Sequence, residues 1–224
     1  MSILKGLTIV AALAALSAGE ARATVVVDAF SVAQQITRTS VGATTTAASG
    51  AGILGGTRTL TVSLDTLPPF AVGVGNIAGG IFSGSMTGPN SPVGGSFYSM
   101  SYTTAAIDAA TGNTALNFNA SSQGGSTIVV TANGTSTATI TVPDAPGFQT
   151  YSINLSSFSN PSVFSALTSL SIKATFPNVT ASGPSLTING PVIIGAIPEP
   201  SVLALGSVAA LLLGGYRLRR KNSN

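Results

Sequence analysis

From Thr57 to Leu64 the chain alternates without a break. Leu60, Val62 and Leu64 fall on one side of an extended backbone, and Thr59, Thr61 and Ser63 on the other. A period of two belongs to a strand with one buried face, and it recurs down the chain. Residues 24–30 form a short β-branched opening. Tyr98, Met100 and Tyr102 share a face in 97–102, as do Leu116 and Phe118 in 115–119. Asn133-Gly134 separates 127–131 from 135–142, and both residues tolerate positive φ, so this stretch predicts a hairpin. Tyr151, Ile153 and Leu155 form another face, then Leu170, Ile172, Ala174 and Phe176, and finally Leu186 and Ile188. Residues 161–167 predict one helical turn, and the Gly/Ala/Thr-rich stretch before Thr57 reads as a link.

About nine short strands separated by Gly, Pro, Asn and Ser predict an all-β fold, an antiparallel sandwich of jelly-roll-like type. No fixed period of tens of residues is visible, which places a β-solenoid second. Cysteine is absent, so packing alone must hold such a domain together.

Helix-like patterning is confined to the two ends. Lys5 followed by the apolar run 7–16 and Ala21-Arg22-Ala23 has the three parts of a secretory signal peptide, with cleavage expected before Thr24. This divides the chain into a signal peptide (1–23), a body (24–195) and a tail (196–224). The signal implies passage through the Sec translocon and removal by signal peptidase.

The tail has three parts of its own. Pro198 and Pro200 fix an extended backbone around an exposed Glu199. Residues 202–216 carry no charge, and as a helix they span roughly 22 Å against about 30 Å of hydrocarbon, a marginal transmembrane length. Arg217, Arg219, Arg220 and Lys221 then hold the end on the cytoplasmic side. Ile197-Pro198-Glu199-Pro200-Ser201, the apolar helix and the basic end together resemble the PEP-CTERM sorting signal of Gram-negative exported proteins. The resemblance implies transient anchoring in the inner membrane and cutting near Pro-Glu-Pro by an exosortase. It further implies a destination at the cell surface or in the extracellular matrix, in company with exopolysaccharide and biofilm.

Removing these ends changes the charge. The whole chain has a net charge of +3, but the body keeps Arg38, Arg58 and Lys173 against Asp28, Asp65, Asp108 and Asp144, a net of −1. A nucleic-acid partner therefore has no basic patch to meet. With no His and no Cys, Ser-His-acid and Cys-His catalysis are impossible, as are His-ligated metal sites. The four aspartates stand singly, which predicts turn or edge positions rather than a glycosidase pair. Asp144, in Pro143-Asp144-Ala145-Pro146-Gly147, reads as a turn residue. Gly73-Val74-Gly75-Asn76-Ile77-Ala78 matches a dinucleotide-binding pattern but lacks the helix and the downstream acid, and reads as a loop. Ser171 and Lys173 fall on one outer strand face, which makes a solvated lysine of the apparent dyad.

The body carries a looser likeness. Val27-Asp28-Ala29-Phe30, Ile53-Leu54-Gly55-Gly56-Thr57-Arg58-Thr59-Leu60 and Phe164-Ser165-Ala166-Leu167-Thr168-Ser169-Leu170 are similar to exported sandwich domains related to galactose-binding-like and carbohydrate-binding modules. That resemblance implies a sandwich and raises a structural calcium near Asp28. The late Asp-Asn of the group is absent, since this chain has Ile188-Asn189-Gly190 there. The expectation is a non-catalytic surface or matrix protein without a cofactor. The alternative is a glycan-binding module, for which Tyr98, Tyr102 and Tyr151 are the candidate contacts.

Overall fold

The computed structural model describes residues 24–64, 72–87, 95–176 and 183–196, all within the compact unit Ala23–Ala196. The strands there are β1 (Val25–Asp28), β2 (Gln34–Arg38), β3 (Gly42–Ser49), β4 (Thr57–Leu64), β5 (Val72–Ala78), β6 (Ile81–Thr87) and β7 (Phe97–Ile107). They continue with β8 (Ala115–Gln123), β9 (Ser126–Ala132), β10 (Ser136–Val142), β11 (Ala145–Asn154), β12 (Leu167–Thr175) and β13 (Ser185–Gly195). The predicted helical turn is a short 3-10 helix over Pro161–Ala166.

Two antiparallel sheets result. One has the order β11-β8-β13-β6-β5-β2, and the other β10-β9-β12-β7-β4-β3. In the first sheet β13 is shared along its length. Its first half pairs with β6, and beyond Gly190-Pro191 the strand carries β1 on that side instead. On its other side β8 runs the whole way, with a register shift at the same point. Proline has no N–H to give a ladder, so the change of partner falls where the ladder is already interrupted.

The alternation in the sequence becomes the inner lining. Leu60, Val62 and Leu64 of β4, Met100 of β7, Ile128 and Val130 of β9, and Ile172 of β12 are buried from one sheet. Ile36, Ile77, Phe82, Leu116, Leu186 and Ile188 are buried from the other. Burying such aliphatic and aromatic side chains stabilises the fold by roughly 1.5–3 kcal/mol each, and with no cysteine this lining is what the domain rests on. The Asn133-Gly134 hairpin forms as expected, with φ of 49° and 70° and Thr135 N–H donating to Ala132 at 3.2 Å.

Two expectations need correction. The supposed link before Thr57 contains β2 and β3, the latter paired with β4 through Gly42↔Leu64 to Ser49↔Thr57. Its inward positions are Thr44, Thr46 and Ala48, too small and polar to mark a buried face. The supposed loop over Gly73-Val74-Gly75 is β5, paired with β6. Its inward residues Gly73 and Gly75, together with Gly84 of β6, are glycines because core side chains fill the space where theirs would stand: Val62 at Gly73, Ile36 at Gly75, and the Tyr98 and Phe82 rings at Gly84. A Cβ on Gly84 would lie 3.0 Å from Tyr98, and one on Gly75 2.9 Å from Ile36.

The signal peptide, the sorting motif Ile197-Pro198-Glu199-Pro200-Ser201, the apolar run 202–216, the basic cluster and Asp65 lie outside the described residues. No helix among the described residues is long and apolar enough to cross a membrane.

Candidate functional site

The three candidate tyrosines separate. Tyr98 is sealed between the sheets, edge-on to Phe82 and Phe176 at 6.0 Å from each, with its hydroxyl donating to the Ser85 carbonyl. Burial pushes its pKa far above the ordinary phenol value. Tyr102 is equally buried and donates to Asp28 Oδ2 at 2.9 Å. Burial first, and then the Asp28 carboxylate, raise its pKa well above 10. Neither ring has a face for a ligand. Tyr151 on the edge strand β11 is half-buried, stacked on Phe118 at 5.7 Å and 22°.

Asp28 is the centre of a buried polar network. Its Oδ2 also accepts from Arg58 Nη1 at 2.7 Å, and its Oδ1 accepts from the Phe30 N–H at 2.7 Å. Arg58 donates further to Gln34 Oε1 at 2.8 Å and to the Val32 carbonyl at 2.8 Å. Both charged side chains have no solvent exposure. Calcium does not fit here. The carboxylate is already neutralised by a guanidinium, and no cluster of three or more acidic or imidazole groups exists among the described residues.

The other described aspartates have different settings. Asp108 follows β7 and accepts from the N–H groups of Ala110 and Thr111 at 2.9 and 3.0 Å. Bonds from the Thr111 side chain and from these amides hold its pKa below the usual carboxylate value. It is a turn residue, as expected. Asp144 lies between β10 and β11 and is exposed, which also fits a turn, but the turn forms the wall of a cleft.

That cleft has a volume of about 370 Å³ and opens where the end of β8, the β10–β11 connection and the start of β13 meet. Ser121, Ser122, Gln123, Asp144, Gly147 and Ser185 line it, with Ala145 and Pro146. Ser122 Oγ donates to the Ser185 carbonyl at 3.0 Å and ties β8 to β13 beneath it. Gln123 is exposed, and Ser121 and Ser185 are half-buried. Directly after Gly147 stands Phe148, 49% exposed and one of the few large apolar side chains left in solvent. β11 slips register between Ala145 and Gln149, which frees this segment from strict strand geometry. Hydroxyl, amide and carboxylate groups can hydrogen-bond a polar ligand, and the exposed aromatic residue that follows Gly147 in the chain offers a ring for stacking. The sequence singled out neither Gln123 nor Phe148, and Asp144 only as a turn. An aromatic residue straight after Pro146-Gly147 was the available signal.

The outer sheet faces are polar but almost uncharged. On the first sheet Gln35, Asn76, Ser83, Thr187 and Ser121 stand in register across β2, β5, β6, β13 and β8. On the second, Thr45, Thr61, Ser99, Lys173, Val129 and Thr139 do the same across six strands. Lys173 sits over the Phe97 ring at 4.1 Å, and Ser171 Oγ is bonded with Ser99 and Ser101. The apparent Ser–Lys dyad is thus a pair of outer-face neighbours with separate partners.

No protein-family model matches the chain, and no curated protein matches it either. Among solved structures it is similar to the family 11 carbohydrate-binding module of the cellulosomal cellulase Lic26A-Cel5E of Clostridium thermocellum. That match has 13% identity and a TM-score of 0.42, over 81% of this chain and all of the other. It is also similar to a family 29 carbohydrate-binding module, at 12% identity and a TM-score of 0.38, over 75% of this chain and 95% of the other. Both likenesses are low in identity and in TM-score. They concern the layout of the sheets and assign no residue of the cleft.

Proposed function

We propose that the body is a non-catalytic glycan-binding sandwich, exported and sorted to the cell surface or its surrounding matrix. The observation that carries this reading is the cleft of Ser121, Gln123, Asp144 and Ser185, whose wall residue Gly147 is followed in the chain by the exposed Phe148. Sugar rings present apolar C–H faces for an aromatic ring and a rim of hydroxyls for amides, hydroxyls and carboxylates, which is the set of groups found here. The ligand class is a neutral polysaccharide. Among the described residues no cation lines the cleft, and Asp144 would repel an acidic chain.

Binding without catalysis follows from the carboxylates. Hydrolysis of a glycosidic bond takes two acids flanking it. Among the described residues, Asp28 is sealed against Arg58 and Asp108 closes its own turn, which leaves Asp144 at the cleft. The delivery half of the proposal rests on the ends of the chain: the signal peptide before Thr24, and the Pro198-Glu199-Pro200 motif with its apolar run and basic stop as an exosortase substrate.

A glycan array probed with the full chain tests the first half. Retention on neutral glycans that falls at least about tenfold in Phe148→Ala, a loss of about 1.4 kcal/mol, is the expected result. Absence of retention on any glycan would favour a purely structural matrix unit. Mass spectrometry of the mature protein tests the second half. Termini at Thr24 and near Pro198-Glu199-Pro200 are expected, and a mature chain that still ends at Asn224 beside an active exosortase refutes processing.

A further inference from the structure

A sandwich has open edges, and their treatment here is uneven. β1 and β2 are short, at four and five residues, and β2 ends in Arg38. β11 is interrupted by a register shift and contains Pro146. β10 is capped from the side: Thr137 N–H donates to Ser159 Oγ, Ser159 N–H donates to the Thr137 carbonyl, each at 3.0 Å, and Ser136 Oγ bonds Asn160. These are the usual devices against edge-to-edge association.

β3 has none of them. It runs for eight residues, Gly42–Ser49, in unbroken register with β4, with no proline, no bulge and no charged side chain. Among the described residues no backbone hydrogen bond reaches its outer edge. Arg38, at the end of β2, is tied down on the Ser40 and Val41 carbonyls and Thr44 Oγ1. The inward residues Thr44, Thr46 and Ala48 are only half-buried, although Gln34 Nε2 donates to Thr46 Oγ1 from the opposite sheet. The mouth of the sandwich is therefore incompletely covered at this edge.

We propose that β3 is a self-association edge, and that a second copy of this chain is its occupant. Antiparallel pairing about a two-fold axis at Thr45 keeps inward residues opposite inward ones, because a strand's faces alternate with a period of two. That register sets Ala43 against Ala47, Thr44 against Thr46 and Thr45 against its own symmetry mate. All are small, so none obstructs the approach, and threonine pairs across strands are favourable. The interface is isologous and closes as a dimer, joining the two hydroxyl-rich sheets edge to edge. Two clefts on one particle then give the glycan-binding function a second point of attachment to the same polymer.

The chain has no cysteine, so Thr45→Cys supplies its sole thiol. Opposed residues of an antiparallel pair lie about 4.5–5.5 Å apart at Cα, within disulfide reach. The full chain in detergent, oxidised with copper–phenanthroline, is expected to give a disulfide dimer for Thr45→Cys. Thr139→Cys, exposed on β10 of the same sheet, is expected to remain monomeric on a denaturing gel. Sedimentation velocity is expected to show a concentration-dependent dimer for the unaltered chain. That dimer should be lost in Thr45→Lys, which faces two like charges across the axis while its circular dichroism stays unchanged. Equal cross-linking of the two cysteine variants would overturn the proposal, as would a dimer that persists in Thr45→Lys or a chain that sediments as a monomer throughout.

Discussion

Arg58 Nη1 meets Asp28 Oδ2 at 2.7 Å, with both side chains withdrawn completely from solvent. The pair joins β1 to β4, and through Tyr102 and Gln34 it reaches β7 and β2. Two of the sequence stretches that carry the sandwich resemblance thus meet at one ion pair. Removing one partner leaves the other charge buried alone, which typically costs 3–5 kcal/mol. Arg58→Met is expected to lower stability by about that much in urea unfolding. Arg58→Lys should recover only part of the loss, because an ammonium cannot serve Asp28, Gln34 and Val32 with one rigid fork.

Gly84 and Tyr98 form a close fit across the sandwich. A Cβ at Gly84 would stand 3.0 Å from both the Tyr98 and the Phe82 ring. Overpacking a filled core costs roughly 1–3 kcal/mol, so Gly84→Ala should destabilise the domain by about that amount. The double variant Gly84→Ala/Tyr98→Phe should recover none of it, since the ring rather than the hydroxyl occupies the space. Thermal unfolding of the two variants checks this.

The buried tyrosines make the protein sensitive to alkali. Both folded phenols have raised pKa values, so the native state holds protons that the unfolded chain releases near pH 10. Their contribution is fully present below that pH and is lost as pH rises above it. Together they should give a slope of about −2.7 kcal/mol per pH unit, roughly −1.4 from each. Urea midpoints measured from pH 9 upward, about one unit below the unfolded phenol value, should fall accordingly. Tyr98→Phe should remove about half of the slope.

Asn133 combines two roles in one residue. Its backbone provides the positive φ of the hairpin, and its side chain holds the neighbouring segment. Oδ1 accepts from the N–H groups of Thr168 and Ser169 at 2.8 and 3.1 Å, and Nδ2 donates to the Ala166 carbonyl at 2.9 Å. Asn133→Gly keeps the turn and deletes the bonds, so a loss of about 2–3 kcal/mol is expected. A loss of a few tenths would mean that water replaces the amide without penalty.

The strands visible in the sequence have large inward residues, although β6, with Phe82 and Met86 inward around Gly84, went unread. Leu60-Val62-Leu64 and Leu170-Ile172-Ala174 announce a buried face, and Asn133-Gly134 announces its turn. β3 and β5 stayed hidden because Thr44, Thr46, Gly73 and Gly75 face inward, and a small inward residue means something only when its partner in the opposite sheet is known. The buried tyrosines were ambiguous for the same reason, since alternation gives a face but not its direction. The burial of Arg58 left no sign in the sequence because its partner is 30 positions away. The cleft was least legible, being assembled from the ends of three strands remote in sequence.

Hydrogen–deuterium exchange of the full chain, with and without a neutral polysaccharide that it retains, tests the central claim most directly. The account predicts glycan-dependent protection confined to the segments around Ser121–Gln123, Asp144–Gln149 and Ser185. Protection elsewhere on the sheets with these segments unchanged, or no protection at saturating glycan, would contradict it.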